Sequence, residues 1–279
     1  MGHTRWATHG GVTDFNAHPH LDCSGRYAVV HNGILENHAE LRRELVDRGH
    51  TFASETDSEV IVHLFEDGVR QYRDYEKALN YILSKIRGQY AFAILTADGK
   101  ILAARNGAPL LVGKSENAVF VASDPVPLLG VASEIHRLKD GAYAVLSSDG
   151  VRVMGGAQPV PRISGRQVEL GKYSHYMEKE IYEQPKALKD TLDYLRREEI
   201  SLELDGRIHL LAAGTSYHAA LYGEYLLRKQ GIDAQAFIAS EYNYWKGREP
   251  DYIIAVSQSG ETEDVLSVLR ALDGPDCCY

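Results

Sequence analysis

The chain has 279 residues, 44% of them apolar, enough to bury a core in each of two ordinary domains and too many for a disordered chain. Thirty Lys and Arg against 39 Asp and Glu leave a formal charge of −9, which argues against a nucleic acid or an anionic membrane surface as partner. No apolar run reaches the roughly 18 residues of a membrane span, the opening Met1-Gly-His-Thr-Arg-Trp has no signal-peptide core, and three cysteines (Cys23, Cys277, Cys278) make no disulfide framework, which fits a reducing cytoplasm.

In chain order, residues 27–34 (YAVVHNGI) predict a strand ending in a turn at Asn32-Gly33. Residues 36–48 follow with helical spacing and Gly49 as C-cap. Ser58 is placed to cap a second helix with Val60, Ile61, Leu64 and Phe65 on one face, and a third helix over 75–87 ends at Gly88. From there the period changes. Residues 90–105 read as two strands around Asp98-Gly99, 109–122 repeat the style around Glu116-Asn117, and 142–154 repeat it around Asp149-Gly150. Helices and strands in separate blocks predict an α+β domain with antiparallel sheets over residues 1–155.

Residues 156–174, rich in Gly, Pro and polar side chains, read as a linker, and 175–198 as a helix interrupted by Pro185. The grammar then becomes strand, loop, helix: strands at 207–213, 234–239 and 252–256, helices opened by Gly214-Thr215-Ser216 and by Ser257-Gln258-Ser259-Gly260. Alternating strands and helices predict right-handed crossovers and a parallel sheet over 175–279.

Each of those two helix-opening loops has an ordinary reading, a Ser or Thr N-cap. Two on one sheet edge favour a shared anion cradle, because helix N-termini offer unpaired N–H groups and open α/β sheets bind ligands at the carboxyl edge. Neither G-x-G-x-x-G nor G-x-x-x-x-G-K-[ST] occurs, which disfavours a dinucleotide or nucleoside triphosphate. Twelve histidines invite a metal reading, His18, His20 and His31 being the tempting set, but no spacing matches a ligand pattern and none is assigned. Arg5, Trp6, Thr8 and His9 crowd one short segment; a guanidinium can clamp a carboxylate, and Asp57 could hold an α-ammonium. Asn32 and the Gly33 N–H could stabilise an oxyanion. Each residue also has a bland reading as a surface Arg, a turn Asn-Gly or a helix-start Asp.

The segments GHTRWATHG, HNGI and SETDSEV, followed by HYMEKEIYEQP, GTSYHA, IASEYNY and SQSGETEDVL, resemble the glucosamine-6-phosphate synthase family along essentially the whole chain. The resemblance implies an amino-terminal-nucleophile glutaminase domain, of antiparallel sheets layered with helices, joined to part of an α/β sugar-isomerase (SIS) domain. It implies an amidotransferase turning glutamine and fructose 6-phosphate into glutamate and glucosamine 6-phosphate, with no cofactor, in a protein that is a cytoplasmic homodimer at full length. By motif, Arg5 and Asp57 would bind glutamine's carboxylate and ammonium, Trp6, Thr8 and His9 would line its pocket, and Asn32 and Gly33 would form the oxyanion hole. Ser216, Ser257, Gln258, Ser259 and Thr262 would contact fructose 6-phosphate. A rival reading is a non-catalytic sugar-phosphate-binding module.

Two departures accompany the resemblance. Ala213 stands where members often carry cysteine. The family's nucleophile, an N-terminal cysteine whose free amine acts as base, has no counterpart, since position 1 is Met1 and Cys23 falls in a turn. The expectation is a piece cut at both ends, inactive by itself, with inward-facing side chains of 90–96 left exposed.

Overall fold

The computed structural model describes residues 1–5, 9–160, 170–198, 206–245, 247–258, 260 and 262–272. They fall into two units, Met1–Val168 and Glu169–Tyr279. In the first unit the elements are β1 (His20–Leu21), β2 (Tyr27–Leu35), α1 (His38–Asp47), α2 (Glu59–Tyr72), α3 (Tyr75–Lys85), β3 (Gly88–Thr96), β4 (Ile101–Asn106), β5 (Leu111–Lys114), β6 (Val119–Ala122), β7 (Glu134–Leu138), β8 (Tyr143–Ser147), β9 (Gly150–Met154) and β10 (Ala157–Pro159). They form a six-stranded antiparallel sheet, β1-β2-β3-β4-β8-β9, and a four-stranded one, β10-β7-β5-β6.

The pleat of β3 explains the layering, because successive side chains point to opposite faces. Tyr90, Phe92 and Ile94 join Leu41, Leu45, Phe65, Leu79 and Ile82 of α1–α3 in one core. Ala91, with Ala103 and Ala144 of neighbouring strands, faces Leu110, Val112 and Leu138 at the second sheet in another. Alanines on that face leave room for the sheets to approach. Phe65 and Phe92 are fully buried; removing such a ring costs about 3–5 kcal/mol.

The structure corrects several expectations. Residues 90–94 are all buried, so the predicted exposed face does not exist. Asn32-Gly33 makes no turn: β2 continues through both to Leu35, in register with β3 from Tyr27↔Thr96 to Leu35↔Gly88. Long pairing with β3 outweighs the local turn preference. Gly88 opens β3 instead of ending α3, whose last helical residue is Lys85. Ser58 occupies the N-cap position of α2 without a capping bond, its hydroxyl being engaged by His31. The segment read as linker from residue 156 contains β10, which pairs with β7, a strand the sequence reading passed over. Gly49, at φ +93, does follow α1 in the left-handed conformation of a C-terminal cap.

In the second unit, α4 (Tyr176–Arg197) runs unbroken through Pro185. Then come β11 (Ile208–Ala212), α5 (Thr215–Lys229), β12 (Ala234–Ile238), α6 (Ala239–Tyr242), β13 (Tyr252–Val256) and α7 (Glu263–Leu272). The three strands form a parallel sheet in the order β12-β11-β13. Its central strand is buried at all five positions, and β13, paired on one side among the described residues, is half-buried. The fold is therefore the expected one: an α+β antiparallel domain followed by an α/β domain with a parallel sheet.

Candidate active site

Arg5, His9, Asn32, Gly33 and Asp57, far apart in the chain, line one cavity of about 450 Å3 in the first unit. Strand β2 carries Asn32 and Gly33 to its wall, and the loop before α2 brings Asp57 against the end of the same strand. There Asp57 Oδ2 accepts the Leu35 N–H at 2.8 Å, and the residue is 2% exposed. A carboxylate so enclosed is a fixed counter-charge for an ammonium entering the cavity. Trp6, Thr8 and Ser259 lie outside the described residues.

Arg5 adopts φ +47, a left-handed conformation uncommon for a side chain of its size. Its own N–H donates to His3 Nδ1 at 2.9 Å, and its guanidinium donates to the carbonyls of Gly11, His9 and Gly10 at 3.0, 3.2 and 3.4 Å. Arg5 thus closes the loop it precedes. Five guanidinium N–H groups against three carbonyls leave donors for a ligand carboxylate. His3 Nδ1 accepts from Arg5, so its proton sits on Nε2 and is donated to Asn32 Oδ1 at 2.8 Å. With its oxygen engaged, Asn32 offers the amide NH2 as donor.

Gly33 is at φ +125, and a Cβ built there would lie 2.2 Å from the Gln89 carbonyl oxygen. Only glycine lets β2 keep its pairing while bending past the cavity.

Histidines complete the wall. His3, His9, His18 and His31 line the cavity. Burial pushes His18 down to about 3 and His31 down to about 4, so both rings are uncharged at neutral pH. His31 Nδ1 pairs with Ser58 Oγ at 2.9 Å, and His20 Nε2 with Thr56 Oγ1 at 3.0 Å. The trio His18, His20 and His31 therefore does not converge on one point as metal ligands would. His31 Nε2 and both ring nitrogens of His18 are buried without a partner, a polar demand that a bound ligand or water can meet. His3, Thr56, Ser58 and Gln89 were not named as site residues from sequence, although His3 lies within GHTRWATHG and Thr56 and Ser58 within SETDSEV.

In the second unit, β11 and β13 run in register from Ile208↔Tyr252 to Ala212↔Val256. The loop carrying Ser216 and the loop carrying Ser257, Gln258 and Thr262 thus leave the same sheet edge. Ser216 sits in the first turn of α5. Ser257 Oγ pairs with Thr262 Oγ1 at 3.0 Å and accepts the Gly260 N–H at 3.1 Å, curling its loop toward the start of α7. A separate cavity of about 490 Å3, lined among others by Tyr217, Phe237, Glu241 and Trp245, includes none of these four residues.

Comparison with known proteins matches residues 3–130 to a glutamine amidotransferase domain and residues 201–273 to a SIS domain. The chain is 40% identical over 287 residues to the isomerizing glutamine–fructose-6-phosphate aminotransferase of Sulfolobus acidocaldarius, covering 97% of this chain and 49% of that protein. It is 44% identical over 288 residues to the protein of that name from Methanothermobacter thermautotrophicus, and 42% over 289 residues to that from Pyrococcus horikoshii, covering 97% of this chain and 48% of each. The chain spans about half the length of these relatives. Both domains are present in this order, and the chain is similar along nearly its whole length to the isomerizing glutamine–fructose-6-phosphate aminotransferases.

Proposed function

We propose that the first unit binds glutamine and the second fructose 6-phosphate, as parts of a protein that yields glutamate and glucosamine 6-phosphate. The observation that carries this reading is the gathering of Arg5, Asn32, Gly33 and Asp57 around one cavity. A guanidinium with spare donors and a buried carboxylate match the two charges of an α-amino acid. The amide NH2 of Asn32 and the Gly33 N–H are the groups to hold the oxyanion that forms when a nucleophile attacks the side-chain amide. The nitrogen released would pass to the sugar phosphate, whose phosphate suits the donors of Ser216, Ser257, Gln258, Ser259 and Thr262 at two helix starts.

No cysteine lines the cavity among the described residues. The 279-residue chain by itself is therefore expected to bind α-amino acids without releasing ammonia. A reducing cytoplasm and a homodimeric full-length protein complete the proposal; no helix among the described residues is long and apolar enough to cross a membrane.

Hydrogen exchange tests the assignment of ligands to units. L-Glutamate should slow exchange in residues 28–36 and 54–60, and fructose 6-phosphate in 210–218 and 253–264. Protection of the first unit by fructose 6-phosphate, or of neither unit by either ligand, would overturn it.

A further inference from the structure

Away from the cavity, Cys23, His50, His63 and Glu66 bring four ligand atoms within 4.8 Å of one another. Three elements supply them: the turn between β1 and β2, the residues just after α1, and one face of α2, where His63 and Glu66 stand a turn apart. His50 Nδ1 lies 3.2 Å from His63 Nδ1, and Cys23 Sγ lies 3.6 Å from each. Glu66 Oε2 is 3.2 Å from His50 Nδ1 and 3.7 Å from His63 Nδ1.

These separations are the edges of a metal tetrahedron. Zn–N bonds of about 2.0–2.1 Å and Zn–S of about 2.3 Å place N and N about 3.3 Å apart, and S and N about 3.6 Å apart, at tetrahedral angles. The outer faces of the two rings say the same. His50 Nε2 meets Asp67 Oδ1 at 2.8 Å, and His63 Nε2 meets Glu59 Oε1 at 3.3 Å. Carboxylate oxygens only accept, so each ring carries its proton on Nε2 and turns a bare Nδ1 lone pair inward. Two imidazole lone pairs and a carboxylate oxygen then face one another, with only the thiol proton and the Cys23 N–H, which Glu66 Oε2 accepts at 3.3 Å, to share among them. Cys23 is exposed, and the other four side chains are buried or nearly so: His50 and His63 are 0% and 1% exposed, Glu66 3% and Asp67 17%. A divalent cation and loss of the thiol proton would satisfy every one of these atoms together. Carboxylates on the far ring nitrogens are the usual support of histidine ligands, and the Thr51 N–H directed at Cys23 Sγ at 3.5 Å suits a thiolate.

We infer that Cys23, His50, His63 and Glu66 form a structural zinc site, fully ligated by protein and separate from the glutamine cavity. Mixed S, N and O donors in a tetrahedron select zinc over oxygen-seeking magnesium or calcium. The ion would tie the β1–β2 turn and the end of α1 to α2. Its influence would reach the cavity wall through Glu59, which, besides supporting His63, accepts the N–H groups of Ala53 and Ser54 at 2.7 Å each and so anchors the loop that ends in Asp57.

The test uses the whole 279-residue chain, purified without a histidine tag. Elemental analysis after dialysis against zinc should find one tightly held zinc per chain, resistant to gel filtration. Cys23→Ala should lose most of it, and a chelator should lower the wild-type melting midpoint by several degrees, restored by zinc. Cobalt(II) loaded in place of zinc should give the intense visible absorption of a tetrahedral site together with a thiolate-to-cobalt charge-transfer band. Wild type that holds no zinc, Cys23→Ala that holds as much as wild type, or a cobalt spectrum with no thiolate band would each overturn the assignment. The cobalt spectrum is read on wild type alone, so it decides even if the variant misfolds.

Discussion

Replacing Gly33 by alanine should unfold the first unit far more readily than its single methyl suggests. The added Cβ would sit 2.2 Å from the Gln89 carbonyl oxygen, 2.8 Å from the Gln89 carbonyl carbon and 3.0 Å from the Tyr90 Cα. All three are backbone atoms of the paired strand β3, so no side chain can swing aside. Relief requires β2 and β3 to part by about 1 Å, past the range of good N–H···O geometry, costing about 0.5–1.5 kcal/mol for each ladder bond spoiled. The backbone at φ +125 adds about 1–3 kcal/mol for any residue with a Cβ. Two weakened bonds and the strain together come to about 4 kcal/mol, which in a unit of this size lowers the melting midpoint by about 8–16 °C. Gly99→Ala is the control: at φ +82 it carries positive-φ strain, but nothing lies within 4 Å of its Cβ. Its loss should stay near 1 kcal/mol, the scale for an alanine forced out of its allowed region. Scanning calorimetry or circular dichroism on both variants reads the difference. A Gly33→Ala midpoint within 2–3 °C of Gly99→Ala would refute the close-approach argument.

Acid should weaken the first unit through His31. Its folded value near 4 lies below the ordinary 6.5 because burial disfavours the charged ring, while Asp57 opposes the shift and His3 and His20 add to it. The unfolded chain binds the extra proton between those limits, so stability is full above pH about 6.5 and is lost as pH falls toward 4. His31→Asn should flatten the slope of melting midpoint against pH between 7 and 5; parallel slopes would contradict the assignment. Ser257→Ala removes the hydroxyl that meets Thr262 Oγ1 and the Gly260 N–H, and should weaken fructose 6-phosphate binding about 10- to 150-fold, the scale of about 1.5–3 kcal/mol for a bond to a charged group. Unchanged affinity by calorimetric titration would remove that loop from the sugar-phosphate site. A coupled glutamate dehydrogenase assay should find no ammonia release from glutamine by this chain above a protein-free blank; release abolished by Arg5→Ala would show a nucleophile the cavity wall does not reveal.

How much could be read from sequence depended on whether local chemistry and tertiary demand agreed. At Asp98-Gly99 and Asp149-Gly150 they agree, and the hairpins β3–β4 and β8–β9 stand where predicted. At Asn32-Gly33 they conflict: a pair that favours turns is held inside a nine-residue strand because β3 pairs along all of it. β7, with the sequence EIHRL, was missed because polar residues stand between its apolar ones and no strong turn pair bounds it. The cavity residues were legible as clusters near Arg5, Asn32 and Asp57, but their convergence was not, since periodicity carries no information about which loops meet. Cys23, His50, His63 and Glu66 were invisible for the same reason. Their spacing is set by where a turn, a helix end and a helix face happen to meet, and only the pair His63 and Glu66, three apart on α2, hinted at a shared direction.

If the cavity is an α-amino-acid site, Asp57 is the partner of the ligand's ammonium. Isothermal titration of the 279-residue chain with L-glutamate, compared with Asp57→Asn, tests this directly. The substitution keeps the shape and an oxygen for the Leu35 N–H but removes the charge that an ammonium requires. The predicted result is saturable binding of L-glutamate by the wild type, at least tenfold weaker in Asp57→Asn while both proteins melt within a few degrees of each other. Equal binding by the two proteins, or none by a folded wild type, would contradict it.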